Sequence, residues 1–235
     1  MKTNNLDIVY CVKERCLSDE LKYSLRSLEN IPHNKVWIYG GCPAWVNTKE
    51  VIHVPTPQDK ANKWLNTSLL LEKIVENDKI TEDFIWFNDD FFVLKPIDEL
   101  VYYYDRNLLS RIADFNKISF TFSNPYQKRL LGAMLALRNK KIDALNFEVH
   151  VPIVFNRKKL ADIIKDFPSI GAKRSLYANM YGTEKQNIKD VKIYDRISLP
   201  DENSSFISTS DMSFREGEVG KYIREKFKKK CKYER

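Results

Sequence analysis

Two adjacent carboxylates stand between two apolar runs in residues 83–96, which read DFIWFNDDFFVLKP. Residues 84–87 and 91–94 each supply four apolar side chains with high strand propensity, and Asn88–Asp90 separates the two runs. An isolated charge in such surroundings is costly to bury, so the pair needs a cation, a hydrogen-bond network or solvent. An uninterrupted apolar strand is typical of a parallel sheet that is covered on both faces. The segment therefore predicts a buried central strand that ends in the acidic turn Asn88–Asp90.

The acidic turn is also the first candidate for a functional site. In open α/β sheets the ligand crevice lies beyond the carboxyl ends of the strands, which is where Asn88, Asp89 and Asp90 fall. Carboxylate oxygens at such a place suit Mg²⁺ or Mn²⁺ bound to a diphosphate, so we predict Asp89 and Asp90 as metal ligands. This interpretation requires that the two side chains face a cavity and are not held in purely internal pairs with lysine or arginine. The alternative is that Asn88 and Asp89 form a turn between two hairpin strands.

The length and composition indicate a globular protein with a sizeable core. The chain has 235 residues, of which 43% are hydrophobic and 12% aromatic, and this fits one large domain or one domain with a small appendage. No apolar run is long enough for a membrane span, and MKTNNLDIVY at the start lacks the pattern of a signal peptide, so we expect a cytoplasmic protein. The cysteines have no CxxC spacing and no histidine cluster beside them, which predicts reduced thiols. They are Cys11, Cys16, Cys42 and Cys231.

Positive charge is concentrated near the carboxyl terminus. The formal net charge is +7, and residues 221–235 carry eight lysine or arginine side chains against two glutamates. Such a segment can attract a polyanion, either nucleic acid or an anionic membrane surface. It can equally be a solvated tail that keeps the protein soluble, and both interpretations stay open at this point. We treat residues 212–235 as a basic carboxy-terminal helix and tail of a single domain that spans residues 1–235.

Strands and helices are predicted to alternate in the amino-terminal half, which is typical of βαβ units and a parallel sheet. Apolar runs predict strands at residues 6–12, 35–39, 51–54, 84–87, 91–94, 118–122, 191–194 and 206–208, and an edge or irregular strand containing a proline at 147–155. Apolar residues at helical spacing predict helices at residues 18–31, 59–77, 97–109, 126–139, 158–167 and 219–227. The apolar stripe of the second helix is predicted from Leu65, Leu69, Ile74 and Val75. The sequence therefore favours a single α/β domain.

Four segments of the chain form a pattern that is more specific than any one of them. They are LKYSLRSLE at residues 21–29, KVWIYGGCPAWVN at 35–47, FIWFNDDFFVLKP at 84–96 and HVPIVFNR at 150–157. Together they resemble the Stealth family of sugar-phosphate transferases, which includes capsular polysaccharide phosphotransferases and the lysosomal-enzyme N-acetylglucosamine phosphotransferase. Small phage-encoded glycosyltransferases are related to this family, and the compactness of the chain is closer to those. STSDMSF at residues 208–214 is similar to the phage-type sequences.

The resemblance implies an α/β, GT-A-like nucleotide-diphospho-sugar transferase fold, with a mostly parallel central sheet flanked by helices. In such proteins the loop after the first strand, here Val12 to Arg15, lies near the base of a nucleotide-sugar donor, in the first place a UDP-sugar. The DxD-type motif, here Asn88–Asp90, holds Mn²⁺ or Mg²⁺ on the diphosphate. Asn66 aligns with a family pattern and is implied to line the donor pocket. Where the family has an aromatic and acidic run after its first strand, this chain has Cys11–Arg15, and this argues against phosphotransferase chemistry more than against sugar-nucleotide binding.

Transfer from a nucleotide sugar needs positive charge where the diphosphate departs and a base for the acceptor hydroxyl. Beside the metal, the cationic candidates for the phosphates are Lys13, Arg15, Lys60, Lys63 and Arg157. The candidates for the base are Glu148, His150 and Asp211. Glu148 and His150 are two residues apart in a predicted strand, so both are expected on one face, and a histidine titrates near neutral pH. His150 can instead be a core residue, and Asp211 can instead cap a helix or turn.

Three functions follow from these observations. The first is a metal-dependent glycosyltransferase that moves a sugar from a nucleotide-sugar donor to a hydroxyl acceptor. The basic end and the small size fit a phage enzyme that acts in the host cytoplasm on hydroxymethylated bases of DNA, and a saccharide is the other acceptor. The second is a Stealth-type sugar-1-phosphate transferase that acts on a saccharide. The third is a non-catalytic module that binds carbohydrate or nucleic acid, since fold does not determine function.

Overall fold

The computed structural model describes residues 1–14, 19–58, 63–116 and 125–235, with only the backbone described at 63, 64, 115 and 116. Within these ranges the chain divides into two compact units. Unit 1 consists of Met1–Leu100, His150–Val154 and Val191–Arg235, and unit 2 of Val101–Val149 and Phe155–Asp190. A single catalytic domain that spans the whole chain stays a prediction.

One helix connects the first strand to the second, and another connects the third strand to the fourth, as the sequence predicts. In the described ranges the strands are β1 Asp7–Val12, β2 Val36–Gly40, β3 Val51–Val54, β4 Asp83–Asn88, β5 Phe91–Val93, β6 Tyr102–Tyr104, β7 Ile153–Asn156, β8 Lys185–Asn187, β9 Lys192–Ile193 and β10 Phe206–Thr209. The helices there are α1 Glu20–Ser27 with a 3-10 turn at Leu28–Asn30, α2 Lys63–Glu76, α3 Leu108–Asn116, α4 Pro125–Asn139, α5 Arg157–Asp166, α6 Lys173–Tyr181, α7 Asp211–Glu216 and α8 Glu218–Lys226. None of these helices has the length and apolar character that a membrane span requires.

The central sheet of unit 1 is built from the apolar runs that the sequence marks as strands. Its strand order is β3-β2-β1-β4-β7, and the pairs β1–β2, β1–β4 and β2–β3 are parallel. Val9 lies opposite Trp37 on one side and Trp86 on the other, and nearly all residues of β1, β2 and β4 are buried. The predicted edge strand is β7, which is shorter than predicted. The prediction of an α/β protein with a mostly parallel central sheet flanked by helices is confirmed.

The chain leaves β4 through Asp89 and Asp90 and then enters a second sheet of unit 1. This sheet has the order β5-β10-β9, with β10 antiparallel to β5 and parallel to β9. Because β4 and β5 belong to different sheets, the alternative interpretation of the acidic turn as a hairpin turn is wrong. The second sheet shares an apolar core with α7 and α8, in which the rings of Phe92 and Phe214 stack with their centroids 6.0 Å apart. The acidic turn is thus the connection between the two sheets.

Unit 2 is built mainly from helices. α3 packs on α4, and α6 contacts both α4 and α5. β6 and β8 add a two-stranded parallel sheet. Tyr177 of α6 meets Phe155 edge-on, with the ring centroids 4.7 Å apart, which gives this unit an aromatic core of its own.

Several sequence predictions of local structure are corrected by the structure. Residues 97–109, predicted as a helix, contain β6, because consecutive tyrosines favour a strand, and α3 begins only at Leu108. The elements α6, α7 and β8 are not predicted from the sequence. Leu65 and Leu69, predicted in the apolar stripe of α2, are 53% and 40% exposed, and the buried residues of this helix include Leu70, Leu71 and Ile74. The predicted strand at 118–122 and the predicted starts of the first two helices, at 18 and at 59–62, lie outside the described residues.

The basic carboxy-terminal segment is bound to the rest of unit 1. Arg26 donates two hydrogen bonds to the carboxylate of Glu234, at 2.7 and 2.8 Å. Tyr233 is buried, and its hydroxyl lies 2.5 Å from Nε2 of His33. Most of the lysine side chains of the segment remain exposed. Residues 227–235 therefore form a fixed basic surface and not a loose solvated tail.

A buried carboxylate fastens the amino-terminal edge of the central sheet. Asp7, the first residue of β1, is 1% exposed, and its two oxygens accept four hydrogen bonds. Oδ1 accepts from the Asn34 side chain at 2.8 Å and from the Lys35 amide at 3.1 Å. Oδ2 accepts from the Trp37 indole at 2.8 Å and from the Thr81 amide at 3.2 Å. Asp7 thus joins β1 to the start of β2 and to the approach to β4.

We expect Asp7→Asn to lower the free energy of unfolding by about 2–3 kcal/mol. The amide has the same size as the carboxylate, but its NH₂ group would face two N–H donors where an oxygen now accepts both bonds. Urea unfolding followed by circular dichroism measures the change. Asp78→Asn, at an exposed aspartate, is the control and should change the unfolding free energy by less than about 0.5 kcal/mol. An Asp7→Asn protein as stable as the wild type would contradict this role of Asp7.

We also expect a contribution of His33 to stability that is lost at acidic pH. Burial lowers the pKa of His33 below its usual 6.5, although the hydrogen bond to the Ile31 carbonyl acts in the opposite direction. The unfolded chain therefore takes up a proton first, so this stability is fully present above pH 6.5 and decreases below it. The difference in unfolding free energy between the wild type and His33→Gln should shrink by up to about 1 kcal/mol between about pH 7.5 and about pH 5.5. A difference that stays constant over this range would show that His33 does not titrate in this way.

Candidate active site at the acidic turn

The carboxyl ends of four neighbouring strands lie side by side, because β1, β2, β3 and β4 run parallel. The side of the central sheet formed by these strand ends is called its carboxyl-terminal edge. In the register of the sheet Val12 lies opposite Gly40, and Cys11 lies opposite Asn88. The loop after β1, the glycine pair after β2 and the acidic turn after β4 therefore start side by side. This is the position at which open α/β sheets bind ligands.

The glycine pair, Gly40 and Gly41, lets the loop after β1 lie against the end of β2. Gly40 has a φ of +97°, and a Cβ there would lie 2.1 Å from the Val12 carbonyl oxygen. A Cβ on Gly41 would lie 2.3 Å from the Lys13 carbonyl oxygen. The Val12 carbonyl accepts hydrogen bonds from the Gln58 side chain at 2.7 Å and from the Gly41 amide at 3.1 Å. The described start of this loop, Lys13 and Glu14, thus lies close to β2, and the glycine pair leaves no room for a larger side chain.

At the acidic turn the carboxylate of Asp90 is held by two side chains of the second sheet. Its Oδ2 accepts a hydrogen bond from the ammonium of Lys192 at 2.6 Å and another from the hydroxyl of Ser208 at 3.0 Å. Lys192 on β9 and Ser208 on β10 are opposite each other in the register of that sheet, so the two donors come from adjacent strands. The Asp90 and Lys192 side chains are only 13% and 16% exposed, which makes this a largely buried ion pair.

The charges around this pair affect the protonation of their neighbours. Burial lowers the pKa of Lys192, but the charge and the hydrogen bond of Asp90 outweigh this effect, so the pKa lies above its usual value. The carboxylate of Glu20 acts in the same direction as Asp90. Burial raises the pKa of the Cys11 thiol to about 12, with a smaller contribution of the same sign from Asp89. The lysine is therefore charged and the thiol neutral at physiological pH, and Cys11 is no nucleophile.

The STSD segment connects β10 to α7, and each of its side chains has a defined position. Ser208 binds the acidic turn, and Thr209 donates a hydrogen bond to the buried carboxylate of Glu20 at 2.5 Å. Ser210 caps the amino terminus of α7 with its side chain. Asp211, a predicted base, is therefore the exposed first residue of α7 and not its cap.

Two further predicted residues lie in unit 1. His150 is half-buried, and its ring meets Phe91, the residue after the acidic turn, edge-on with centroids 6.4 Å apart. Asn66 in α2 has a buried side-chain oxygen that accepts no hydrogen bond within the described part of the chain. Buried acceptors normally have a partner, so this oxygen suits a polar ligand or a water molecule.

Glu148 and Arg157 belong to unit 2, where both lie at helix termini. Glu148 Oε1 accepts a hydrogen bond from the Ser175 amide, in the first turn of α6, at 3.0 Å. Since the N-cap residue of α6 supplies no side-chain cap, Glu148 takes over that role. Arg157 is the first residue of α5. The expectation that Glu148 and His150 share a strand face is wrong, because β7 begins only at Ile153.

The remaining predicted residues divide by position. Val12 is buried at the end of β1, Asn88 is half-buried at the end of β4, and Lys13 is exposed just after β1. These three residues share the sheet edge with Asp89 and Asp90, as predicted. Outside the described part of the chain are Arg15, Lys60 and the side chain of Lys63.

Lys192, Ser208 and Glu20 belong to this site but are not predicted as site residues from the sequence. Lys192 and Asp90 are 102 residues apart, and no local pattern marks their contact. The available signal is a lysine inside the short apolar run at residues 191–194, where a charge needs a partner. That signal predicts a buried ion pair but not the identity of the second residue.

The contacts of Asp90 bear on its predicted role as a metal ligand. Asp90 binds Lys192, and the described residues contain no group of three or more histidine, cysteine, aspartate or glutamate side chains arranged to hold a metal. Asp89, the other predicted ligand, is half-buried. One of the two carboxylates is thus held in the kind of internal pair that the metal interpretation does not expect. Asp89 and Asp90 as metal ligands stay a prediction.

Comparisons with known proteins give a structural likeness and no family. No protein-family model matches the sequence, and no curated protein matches it. Among solved structures the chain is similar to a galactosyltransferase LgtC in complex with donor and acceptor sugar analogues, with 10% identity, a TM-score of 0.44 and coverage of 80% of this chain and 76% of that one. It is also similar to an active-site mutant of LgtC, with 9% identity, a TM-score of 0.43 and coverage of 80% and 75%. At these TM-scores we base no conclusion on the likeness, and the resemblance to the Stealth family stays a prediction.

We expect Gly40→Ala to lower the free energy of unfolding by about 1–3 kcal/mol, because the added Cβ meets the Val12 carbonyl at a positive φ. Gly132→Ala is the matched control, since a Cβ there lies 3.6 Å from Ile170, an ordinary contact, in the interior of α4. The control should be neutral or stabilising by up to about 1 kcal/mol. Urea unfolding of both variants measures the difference, and equal effects would contradict the close packing at this sheet edge.

Proposed function

We propose that the chain is a glycosyltransferase that moves a sugar from a nucleotide-diphosphate donor, in the first place a UDP-sugar, to a hydroxyl acceptor. The observation that supports it is the arrangement at one edge of the central sheet, where the closely packed residues Lys13 and Glu14 after β1, the glycine pair at the end of β2 and the acidic turn after β4 lie side by side. A nucleotide is expected at this position of an open parallel sheet. The four segments that resemble sugar-phosphate transferases and phage glycosyltransferases, and the GT-A-like fold that they imply, support the same proposal.

The reaction exchanges one carbon–oxygen bond for another. The acceptor hydroxyl oxygen attacks the anomeric carbon of the donor sugar, and the bond from that carbon to the diphosphate oxygen breaks. The nucleoside diphosphate leaves with the bonding electron pair, and the hydroxyl proton passes to a base. Negative charge grows on the diphosphate as it leaves, so the site must hold positive charge near it.

His150 is the base that the geometry supports best. It is half-buried against Phe91, directly after the acidic turn, and an imidazole nitrogen can accept the proton of a hydroxyl. Asp211 is exposed at the start of α7, and Glu148 is engaged as a helix cap in unit 2. We therefore assign the role of base to His150 and a phosphate contact to Lys13, at the end of β1.

The acceptor is proposed to be DNA that carries hydroxymethylated bases. The support is the fixed basic surface of residues 227–235, in a chain whose net charge is +7. Binding of DNA to such a surface weakens steeply as the salt concentration rises. A saccharide is the other acceptor to be tried, and sugar-1-phosphate transfer to a saccharide is the alternative reaction.

Release of nucleotide from UDP- and GDP-sugars tests the proposed function, with hydroxymethylated duplex, plain duplex and oligosaccharides offered as acceptors. Glycosyl transfer releases the nucleoside diphosphate, whereas sugar-1-phosphate transfer releases the monophosphate. We expect diphosphate release with a UDP-sugar and hydroxymethylated duplex, and a loss of about 100-fold or more in kcat/KM for His150→Gln, because the acceptor hydroxyl loses its base.

The control for this assay is Glu82→Gln, an exposed residue before β4 and so at the opposite edge of the sheet, which should keep full activity. Full activity of His150→Gln as well would contradict the proposed site. Release of the nucleoside monophosphate would show that the protein transfers a sugar phosphate and not a sugar. Binding of saccharide or DNA without turnover, unchanged in Asp90→Ala, would favour the non-catalytic binding module.

A further inference from the structure

We propose that the Lys192 ammonium is the resident cation of the acidic turn, so that this site takes up no divalent metal and a lysine meets the departing diphosphate. The role toward the diphosphate rests on the function proposed above. The exclusion of a metal rests on the contacts of Lys192 and on the ligands available among the described residues, and the two parts can be tested separately.

Lys192 is built into the site. Its backbone lies in β9, in register with Ser208 of β10, so strand pairing determines where its side chain begins. Its ammonium donates to Asp90 Oδ2 at 2.6 Å, and the Ser208 hydroxyl donates to the same oxygen at 3.0 Å. With 16% of the Lys192 side chain exposed, moving the ammonium out would leave the Asp90 carboxylate without its counter-ion in a place that water reaches poorly. The lysine is therefore a fixed partner of the turn.

A divalent ion at Asp90 Oδ2 would have to displace Lys192 and Ser208, which both bind that oxygen. Mg²⁺ and Mn²⁺ need several oxygen ligands in a near-octahedral arrangement, and the described ranges hold no group of three carboxylate, histidine or cysteine ligands. The ion would also stand close to a positive ammonium, and this repulsion is stronger in a partly buried site than in water. Both effects favour Lys192 over a divalent ion at Asp90.

An ammonium group can itself bind a diphosphate. It carries three N–H donors on one centre, and a phosphate oxygen is a charged acceptor of the same kind as the Asp90 carboxylate. An ammonium carries a single positive charge and a diphosphate more than one negative charge, so a diphosphate at the turn needs a further cation. Lys13, exposed after β1 at the same sheet edge, is the candidate among the described residues.

Binding of Mn²⁺, followed by electron paramagnetic resonance and by thermal unfolding, tests the exclusion of the metal without any assay of activity. We expect the wild type to show no saturable binding below millimolar Mn²⁺ and no rise of Tm with the ion. Lys192→Ala exposes the Asp90 carboxylate to the ion, so Mn²⁺ should bind about tenfold more tightly or better and should raise the Tm of this variant. Lys189→Ala, at an exposed lysine nearby, is the control and should behave as the wild type.

The nucleotide-release assay tests the role toward the diphosphate. Turnover should be unchanged in EDTA, should fall about 100-fold or more in Lys192→Ala, and should be partly kept in Lys192→Arg, which retains the charge. Saturable, stoichiometric binding of Mn²⁺ to the wild type that Asp89→Asn abolishes would overturn the proposal, whether or not turnover is found. If Lys192→Ala does not fold, the Mn²⁺ titration of the wild type still tests whether the site excludes a divalent ion. No turnover and no Mn²⁺ binding would refute the proposed function and leave Lys192 as the cation of the turn.

Discussion

The ion pair between Asp90 and Lys192 joins the two sheets of unit 1 at the point where the chain crosses from one to the other. β4 and β5 are separated by two residues but lie in different sheets, so no hairpin ladder holds the turn between them. Lys192 and Ser208 provide that hold from β9 and β10. Removing the lysine would leave a carboxylate that is 13% exposed without its counter-ion, a loss that typically costs about 3–5 kcal/mol. The same contact therefore stabilises the fold and determines the charge at the candidate site.

The two edges of the central sheet use polar groups in different ways. At the amino-terminal edge each carboxylate oxygen of Asp7 accepts two hydrogen bonds from the protein, and the role of this residue is to stabilise the sheet. At the carboxyl-terminal edge the polar residues Asn88, Asp89 and Asp90 are half-buried, and two glycines keep the neighbouring loop close. Half-buried polar groups beside a tightly packed backbone suit a ligand that brings its own polar atoms. The function is therefore sought at this edge and not at the other.

Two contacts of the carboxy-terminal segment decide between the interpretations that its lysine-rich composition leaves open. Its lysines alone are compatible with a loose tail or with a binding surface. Arg26 and His33 hold Glu234 and Tyr233, so the end of the chain has one position while the lysine side chains stay exposed. A surface with a fixed arrangement of charges can orient a polyanion, whereas a loose tail can only attract one. This difference supports a role of the segment toward an acceptor.

Local patterns determined what the sequence could determine by itself: the apolar runs of β1 to β4, the parallel sheet that such runs form, and an acidic turn at the end of β4 that requires a compensating group. They failed where a short segment has an ambiguous pattern, as at Tyr102–Tyr104, and where the partner lies far along the chain. Glu148 caps α6. Arg26 binds Glu234, which lies 208 residues away in the sequence, and Lys192 binds Asp90, which lies 102 residues away. The packing of strands and helices brings such partners together, and the residues next to them in the sequence carry no pattern that predicts the contact. The sequence thus determined that the acidic turn needs a cation, a hydrogen-bond network or solvent, and only the tertiary structure decided that a lysine from another strand binds Asp90.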